Sequence, residues 1–398
     1  MLARRPGTRA ANLGKSLALL LASIGLWLAS AEVVCRFLPV HSGFEVQTVD
    51  AANPIIRFRA NRDYLYSHGA LLTNVNRGHV NNYGFTNGQD YDLADPRPLL
   101  AVIGDSYIEA AMVPYPQTLQ GRLAARQDGT RRVYSFASSG SSLLDYLYYA
   151  IYARQRFSAQ WLVINVVGND FDEMLLRYKQ SPGFHYLIEQ TDGGLSPILI
   201  EYHPTWPRTL LRHSALARYV VFNIGSVSPL VSGLLEEMHQ LRLWFTEPIT
   251  KANAASPAFI GNTASDADPL RAELAQRATV WVLDHLPESV GLPVSHILLL
   301  MDGYRVFEPD QVEAARNSFF GIMREYLITE AHRRGYEVQD MQEWFARRHR
   351  LDGAVFDFPD DGHWSALGHE EAANAVMASE LYRHFVAAKN ESDSSRLP

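Results

Sequence analysis

The sequence predicts an α/β fold, a three-layer sandwich in which helices flank a mostly parallel sheet. Short apolar runs, typical of strands buried on both faces, recur along the chain. Between them lie stretches with apolar residues at three- and four-residue spacing, the pattern of helices that bury one face. Strands that alternate with helices are joined by right-handed crossovers, which favours a parallel sheet. Ligands bind such sheets at the carboxyl ends of the strands, so functional residues are expected directly after the strands.

Five strands and four helices are predicted from this pattern. The first strand, 98–103, is a continuous apolar run that ends at Gly104-Asp105, and the fifth strand is the weakest. The second to fifth strands are predicted at 132–136, 161–167, 296–301 and 336–341. The helices are predicted at 118–126, 143–156, 309–334 and 366–387.

The other segments do not follow the alternation. Residues 41–97 are rich in Asn, Asp, Gly and Tyr and are predicted to be an irregular lead-in. Residues from about 171 to 292 are interpreted as an insertion that could cover the site, and residues 391–398 as a disordered tail. Within the insertion the sequence predicts a hairpin at 186–202, one or two helices at 210–244 and a polar, mobile loop at 251–268.

The first 40 residues are predicted to be a basic tail followed by a membrane-spanning helix. Residues 1–15 contain four basic residues and no acid, and residues 16–34 are apolar apart from Glu32 near the end. A helix of that length rises about 28 Å, close to the hydrocarbon thickness of a bilayer. The basic residues place the N-terminus in the cytoplasm and the remaining chain outside it, as a single-pass protein of the inner membrane with a periplasmic or extracellular domain. A cleaved signal peptide is the alternative, because Ala29-Ser30-Ala31 fits a cleavage site.

The composition narrows the class of protein. The 398 residues, 47% hydrophobic and 20% charged, are ordinary for a globular protein and sufficient for a sizeable core. The formal charge of −7, without a basic stripe, gives no reason to expect a nucleic-acid partner. The single cysteine, Cys35, excludes an intramolecular disulfide and a metal site built on several cysteines. Neither a metal nor a cofactor is expected, because the sequence has no metal-ligand motif.

Four segments contain a matching set of reactive residues, three of them at predicted strand ends and one before the last helix. These segments are Gly104-Asp105-Ser106-Tyr107, Ser139-Gly140-Ser141, Gly168-Asn169-Asp170 and Asp360-Asp361-Gly362-His363-Trp364. Ser106 can lie exposed at the start of the helix after its strand. Gly140 allows a backbone N–H to approach a substrate oxygen, and the Asn169 amide can donate to a developing oxyanion. His363 beside a carboxylate supplies a base and the group that orients it.

In this order the four segments resemble the four blocks of the SGNH/GDSL hydrolase superfamily, whose name gives its Ser, Gly, Asn and His. The matching residues here are Ser106, Gly140, Asn169 and His363, and the segment 361–369 is similar to membrane-linked and periplasmic members. The resemblance covers about 98–175 and 293–388. It implies an SGNH/flavodoxin-like domain at 98–390, with Ser106 as nucleophile and His363 as base. It also implies an oxyanion hole formed by Ser106, Gly140 and Asn169.

The acid of the implied triad has two candidates. Many members of the superfamily place the acid three residues before the histidine, which selects Asp360. Others, in which Trp follows the histidine, place it two residues before, which selects Asp361. Trp364 follows His363, so Asp361 is favoured and Asp360 is the alternative acid. His369 is predicted to lie at the surface, on another face of the last helix.

Two functions remain as hypotheses. The first is a serine esterase or O-acyl(acetyl)transferase that acts outside the cytoplasm on ester-bearing small molecules, glycans or lipids. The second is a catalytically inactive, envelope-anchored binding module of the same fold. Taken singly, Ser106 can be a helix cap, and Gly140 and Asn169 can be turn residues. The presence of all four signature residues together favours the enzyme.

Overall fold

The elements of the fold are given by a computed structural model, which describes residues 7–225, 259–260, 262–359 and 361–388. The strands are β1 Arg62–His68, β2 Thr73–Val80, β3 Leu99–Gly104, β4 Arg132–Ala137, β5 Trp161–Val166, β6 His185–Glu189, β7 Leu195–Leu199, β8 Phe259–Ile260, β9 Thr263–Ala264, β10 Ile297–Met301, β11 Glu337–Asp340, β12 Asp357–Phe358 and β13 Asp361–Trp364. The helices are α1 Gly7–Phe37, α2 Ser106–Glu109, α3 Leu119–Ala125, α4 Leu143–Phe157, α5 Asp170–Glu173, α6 Trp206–Arg212, α7 Ala215–Arg218, α8 Pro269–Val290, α9 Pro309–Arg316, α10 Phe319–Arg333, α11 Met341–Asp352, α12 Ala366–Ala378 and α13 Glu380–Ala387.

Five parallel strands form the central sheet, in the spatial order β4-β3-β5-β10-β11. All five strands predicted from the sequence are present. The chain passes from β3 to β4 on one side and then crosses to β5 on the other, so the direction of winding reverses between β3 and β5. A crevice for ligands opens at the carboxyl ends of the strands at such a reversal. Ser106 directly follows β3, and Asn169 follows β5.

The side chains of the sheet alternate between two hydrophobic clusters, one on each face. Along β3, Leu99, Ala101 and Ile103 belong to one cluster, and Leu100 and Val102 belong to the other. This is the two-residue period of a strand that is buried on both faces. Residues of α4, α8 and α10 complete the first cluster, and residues of α3, α11, α12 and α13 complete the second. The predicted three-layer arrangement is therefore confirmed.

Two of the four predicted helices are each divided by a serine. The helix predicted at 309–334 is α9 and α10, because the Ser318 hydroxyl accepts a hydrogen bond from the N–H of Gly321 (3.1 Å) and starts a new helix. The helix predicted at 366–387 is α12 and α13, because the Ser379 hydroxyl accepts a hydrogen bond from the N–H of Tyr382 (3.0 Å) and starts a new helix. Apolar periodicity continues across both caps, so the pattern alone does not reveal the breaks. The other two predicted helices are confirmed as α3 and α4.

The lead-in at 41–97 is not irregular throughout, because β1 and β2 form an antiparallel hairpin. The register of this hairpin shifts between Tyr66 and His68. Its strands are rich in polar residues, as in the sequence Thr73–Val80, and lack the apolar alternation that marks a strand. Phe44, Phe58 and other apolar residues of the lead-in pack against the β6–β7 hairpin. The lead-in is therefore part of the folded unit.

The segment predicted as an insertion contributes side chains to the core. Helix α8 has Ala275, Ala278 and Val282 in the first hydrophobic cluster and connects β5 to β10, so it is a crossover helix and not a cover over the site. The predicted hairpin is confirmed as β6–β7. The helices predicted at 210–244 correspond to α6, α7 and a π-helical turn up to Gly225, and the rest of that prediction lies outside the described residues. The same applies to 251–258 and 261 of the predicted loop.

Helix α1 is long and apolar enough to cross a membrane. Its span Leu13–Phe37 has a mean hydropathy of 2.0 over the most apolar window, and none of that window is buried. Large apolar side chains such as Trp27 are exposed along it. A membrane anchor and a signal sequence both meet this criterion.

Candidate active site

Ser106 is the first residue of α2, directly after β3. Asp105 caps this short helix, because its Oδ1 accepts the N–H of Tyr107 (2.9 Å), and its Oδ2 lies 3.2 Å from the hydroxyl oxygen of Ser106. Asp105 is fully buried, whereas Ser106 is half-buried. The N–H groups in the first turn of a helix have no partner within the helix. The serine hydroxyl and its own N–H therefore lie together at the carboxyl edge of the sheet.

His363 reaches Ser106 from the β12–β13 hairpin. Its Nε2 lies 2.7 Å from the Ser106 hydroxyl, and its Nδ1 is hydrogen-bonded to Oδ1 of Asp361. The backbone N–H of His363 also donates to that oxygen (3.1 Å), which fixes the imidazole relative to the carboxylate. The structure thus brings together three residues that the sequence singled out, across a separation of 257 positions between Ser106 and His363. Asp360, the alternative acid, lies outside the described residues.

The ionisation of His363 and Asp361 is set by their contact. Burial by itself would lower the pKa of His363, but the charge of Asp361 and its hydrogen bond outweigh burial and hold this pKa above its usual value of 6.5. Burial by itself would raise the pKa of Asp361, but the adjacent imidazole holds it below its usual range. Asp361 is therefore an ionised carboxylate at neutral pH, which suits a group that stabilises an imidazolium.

The second oxygen of Asp361 is held by the lead-in. Its Oδ2 accepts a hydrogen bond from the hydroxyl of Tyr66 (3.0 Å) and lies 3.9 Å from Nδ1 of His68. Both residues are on β1, and the side chain of Asp361 is only 5% exposed. The sequence analysis did not identify either residue. The lead-in hairpin therefore contributes directly to the site.

Gly140 occupies a tight turn directly after β4. The N–H of Ser141 donates to the carbonyl of Ser138 (3.1 Å), which closes the turn. Gly140 is the third residue of this turn, and its φ of +81° is the value that a type II turn requires at that position. Types I and II differ in the orientation of the central peptide, which carries the N–H of Gly140. A glycine is needed here because other residues rarely adopt this φ.

Asn169 lies in the loop after β5 and caps α5. The residue is 7% exposed, and its Oδ1 has no hydrogen-bond partner among the described residues. Because β4 and β5 flank β3 and neighbouring strands lie about 4.8 Å apart, Gly140, Ser106 and Asn169 follow three adjacent strand ends. The NH2 group of the Asn169 side chain is a donor, so at this edge it is suited to bind a ligand oxygen.

Two buried carboxyl groups support this edge of the sheet. Burial raises the pKa of Asp105 to about 6. Burial also raises the pKa of Asp170 well above its usual value, and the charge of Asp105 raises it further. Asp170 accepts hydrogen bonds from the Tyr146 hydroxyl (2.7 Å) and from the N–H of Val167 (2.7 Å). These acids are bonded within the fold, so they act as supports of the loops.

Arg305, in the loop after β10, holds the backbone beside His363. Its Nη2 donates to the carbonyl of Gly362 (3.0 Å) and to the hydroxyl of Tyr107 (2.9 Å). The Tyr107 hydroxyl in turn donates to the same carbonyl (2.7 Å). The residue next to Ser106 and the residue next to His363 are therefore tied to one guanidinium.

The charge of Arg305 is balanced by two acids inside the protein. The guanidinium pairs with Asp302 and lies 2.7 Å from Asp357, and its side chain is 6% exposed. Asp302 also accepts the indole N–H of Trp364 (3.0 Å). Arg305 has a φ of +57°, which is uncommon for a residue other than glycine. Such strained positions persist where the surroundings fix them, frequently at functional sites.

A pocket lined by aromatic side chains adjoins the Gly140 turn. Phe44 and Phe58 come from the lead-in, and Phe184 comes from the residue before β6. Its polar lining consists of Glu109, Ser138, Ser139 and Arg212. The pocket offers an apolar surface beside the end of β4, where the Gly140 turn lies.

The prediction that His369 lies at the surface is wrong, because the residue is buried. It is 1% exposed, and its Nδ1 accepts the N–H of Leu119 (3.2 Å). Burial lowers the pKa of His369 to about 3, so the imidazole is neutral. Its face of α12 packs against α3, which the spacing from His363 did not reveal. In the described part of the chain, no three potential metal ligands lie together.

Comparison with known proteins gives structural matches only. No protein-family model and no curated protein matches the chain. Among solved structures, phospholipase A1 from Streptomyces albidoflavus matches at 12% identity over 70% of this chain and 98% of its own, with a TM-score of 0.35. A lipase/acylhydrolase from Enterococcus faecalis matches at 10% identity over 74% and 98%, with a TM-score of 0.35.

A member of the lipolytic protein G-D-S-L family from Veillonella parvula also matches, at 9% identity over 71% of this chain and 97% of its own, with a TM-score of 0.33. The names of these structures are those of lipolytic enzymes. Identities and TM-scores this low say nothing about substrate or mechanism.

Proposed function

We propose that this protein is a serine-dependent acyl-ester hydrolase or O-acyltransferase. The observation that carries the proposal is the hydrogen-bonded chain from Ser106 through His363 to Asp361, at the point where the sheet reverses its winding. A serine hydroxyl is a weak nucleophile, and it becomes effective when an adjacent base takes its proton. A structural cap needs neither the imidazole nor the carboxylate behind it.

In the proposed reaction the Ser106 hydroxyl attacks the ester carbonyl while Nε2 of His363 takes its proton. Asp361 stabilises the imidazolium that forms. The tetrahedral intermediate then breaks its bond to the leaving alcohol, which receives the proton from His363, and an acyl-serine remains. An acceptor hydroxyl attacks this acyl group as His363 removes its proton, and the proton then returns to Ser106. With water as acceptor the product is a carboxylic acid, and with a sugar hydroxyl the product is a new ester.

The negative charge of the tetrahedral intermediate requires donors that are already in place. The N–H groups of Ser106 and Gly140 and the side-chain amide of Asn169 are suited to this role, because they lie at adjacent strand ends. Removing one such donor typically costs about 3 kcal/mol of transition-state stabilisation, roughly a hundredfold in rate. The neighbouring aromatic pocket is suited to the acyl group or another apolar part of the ester.

The proposed site of action is outside the cytoplasm, with α1 as a single-pass anchor in the inner membrane and the catalytic domain in the periplasm or outside the cell. The end of α1 is joined to the domain, since the carboxylate of Glu32 accepts hydrogen bonds from the Ser214 hydroxyl (2.8 Å) and the N–H groups of Ala215 and Leu216 (3.0 and 2.9 Å). Cys35 packs against the same helix, α7. Residues 41–388 would then form one catalytic unit, with the lead-in included.

Substrates at the membrane surface are favoured by a connection between the anchor and the triad. Tyr219, the residue directly after α7, donates to the carbonyl of Ala70 at the tip of the β1–β2 hairpin (2.9 Å). The same hairpin holds Asp361 through Tyr66. Leu71 at that tip is 88% exposed, and it adds apolar surface near the end of the anchor. Esters of envelope glycans or lipids are therefore the proposed substrates.

A fluorophosphonate probe tests the proposal directly, because it forms a stable bond only with an activated serine. We expect one adduct by mass spectrometry on the peptide that contains Ser106, and none in the Ser106→Ala variant. A folded wild-type protein that does not react would support the inactive binding module instead. N-terminal sequencing of the mature protein tests the anchor, since a chain that starts at Glu32 would indicate a cleaved signal peptide.

A further inference from the structure

Lys179, between α5 and β6, contacts the glycine of the proposed oxyanion hole. Its Nζ donates to the carbonyl of Gly140 and pairs with the carboxylate of Glu173. The side chain is 9% exposed, and the ammonium lies 4.9 Å from the centre of the Phe184 ring. Burying an ammonium is costly unless it is paired and hydrogen-bonded. The two acceptors therefore determine where this cation lies.

The peptide that carries the N–H of Gly140 is fixed from both sides. On one side, the carboxylate of Glu109 accepts the N–H of Ser139 (2.7 Å) and the hydroxyl of Ser139 (3.0 Å). On the other side, Lys179 holds the carbonyl of Gly140. Because both neighbouring peptides are held, the turn keeps its position relative to the loops around it, and the φ of +81° at Gly140 sets the orientation of the central peptide within the turn.

Lys179 also connects two strand ends. Its partner Glu173 is the last residue of α5, and the N–H of Glu173 donates to the carbonyl of Asn169 (3.2 Å). The ion pair thus joins the loop that carries Gly140 to the loop that carries Asn169. These two loops supply the two donors that must lie at a fixed distance from each other to bind one oxygen.

We propose that Lys179, with Glu173 as its counter-ion, is a positioning residue that fixes the Gly140 N–H relative to the Asn169 amide. The inference rests on the proposed function, because it takes both groups as donors to the oxyanion. The oxyanion exists in the transition state and not in the bound ester, so displaced donors reduce kcat while leaving KM nearly unchanged. A displacement of about 1 Å at a reacting centre can cost about a hundredfold in rate.

The test is the Lys179→Met variant of the full-length protein, assayed with p-nitrophenyl acetate. We expect kcat to fall about 10- to 100-fold with KM within about twofold of wild type. The pH dependence of kcat/KM should not move, because His363 and Asp361 are untouched. Lys179→Arg, which can reach both acceptors, should recover most of the activity. Arg177→Met is the matched control, since Arg177 is an exposed cation two residues away, and it should behave as wild type.

A double-mutant comparison separates positioning from a general effect on folding. Gly140→Ala should itself lower kcat, and adding Lys179→Met should cause little further loss, because both changes displace the same N–H. Glu173→Gln removes the counter-charge but keeps the contact with Gly140, and it should lower kcat less than Lys179→Met does.

Three results would overturn the inference: wild-type kcat in Lys179→Met, fully additive losses with Gly140→Ala, or a shifted pH profile. A failure of the proposed function is recognised separately, because the wild-type activity would then survive Ser106→Ala.

Discussion

Two regions of the molecule build the candidate site in different ways. The strand ends and the β12–β13 hairpin supply the groups proposed to react, Ser106 and His363 among them. The lead-in and the loop after β10 supply the groups that hold these residues in place, such as Tyr66 and Arg305. The first set lies in short segments with recognisable spacing. The second set is recognisable only in three dimensions, since Tyr66 and the carboxylate it holds are 295 positions apart.

The two regions are therefore expected to have different roles in catalysis. The reacting groups determine which bond can be broken, and the holding groups determine how closely the reacting groups keep their geometry. Changes in the first region should therefore abolish turnover, whereas changes in the second should reduce it by degrees and alter stability as well.

The largest effect is expected from Ser106→Ala and His363→Ala. Each should reduce kcat/KM for a simple acetyl ester by about four orders of magnitude or more, and the double variant should be scarcely worse. The losses are not additive, because either change removes the same activated nucleophile. Substantial activity in Ser106→Ala would show that Ser106 is not the nucleophile and that the reaction takes place in another part of the molecule.

Asp361→Asn is expected to follow, with a loss of up to about 10⁴-fold in kcat, because the carboxylate selects the tautomer of His363 and stabilises its charge. Asp360→Asn is the matched control and should lose far less activity. The reverse ranking of these two variants in steady-state assays would identify Asp360 as the acid.

The pH profile gives a second readout of the same contact. His363 must be neutral to accept a proton, so kcat/KM rises with pH and levels off above the pKa of His363. Asp361 holds this pKa above 6.5, so the midpoint of the wild-type profile should lie above that value. In Asp361→Asn the carboxylate is lost, and the residual activity should have its midpoint at lower pH. An unchanged midpoint would show that Asp361 does not set the ionisation of His363.

The sequence predicted the sheet and singled out the residues proposed to react because both have local signatures. A strand buried on both faces is a continuous apolar run, as at 98–103, and the polar residues after it mark the carboxyl edge. Sequence alone also placed Asp361 among two candidates, and the structure connects it to His363. The β1–β2 hairpin was missed because polar side chains on its strands conceal the period of two.

The supporting residues could not have been predicted in the same way. Lys179 and Arg305 belong to no motif, and each acts on a backbone carbonyl that is distant in the sequence. Asp302 directly follows β10, so the strand-end rule could have singled it out, but its partner Arg305 adopts a strained backbone that no pattern indicates. The burial of His369 likewise depends on how two helices pack.

Arg305→Met is the largest expected effect in the supporting region. The change leaves Asp302 and Asp357 without their cation inside the protein, and breaking a buried ion pair typically costs about 3–5 kcal/mol of stability. A lower Tm and a lower kcat should appear together, because the loop beside His363 loses its tether. Arg383→Met is the control, since its ion pair is exposed, and it should leave Tm nearly unchanged. A normal Tm in Arg305→Met would show that Arg305 does not stabilise the loop beside His363.

Tyr66→Phe tests whether the lead-in hairpin positions Asp361, and its expected effect is smaller. The variant loses one hydrogen bond to a charged carboxylate, a contact worth about 1.5–3 kcal/mol, so a fall in kcat of about tenfold is expected. Tyr64→Phe, two residues earlier on the same strand, should keep wild-type kcat because Tyr64 packs against Phe44 instead. Equal kcat values in both variants would show that the hairpin does not position the acid.

The smallest effect is expected at Asp105, which lies inside the sequence motif but is placed here among the supports. Burial raises its pKa from 3.8 to about 6 in the folded protein. A carboxyl group with a raised folded pKa contributes stability below its unfolded pKa, and this contribution is lost as pH rises from about 4 to about 6. The loss is at most about 3 kcal/mol, by conversion of the pKa difference.

Asp105→Asn should therefore change the pH dependence of stability more than it changes catalysis. Asparagine keeps an oxygen for the N–H of Tyr107 and stays neutral at every pH, so the variant should gain stability over wild type as pH rises from 4 to 6 and keep that gain at higher pH. Urea unfolding of both proteins at several pH values measures this difference, in which the contributions of all other groups cancel. Parallel curves would mean that folding does not change the pKa of Asp105. A large loss of kcat in a stable Asp105→Asn variant would instead place Asp105 among the groups that take part in the reaction, together with its neighbour Ser106.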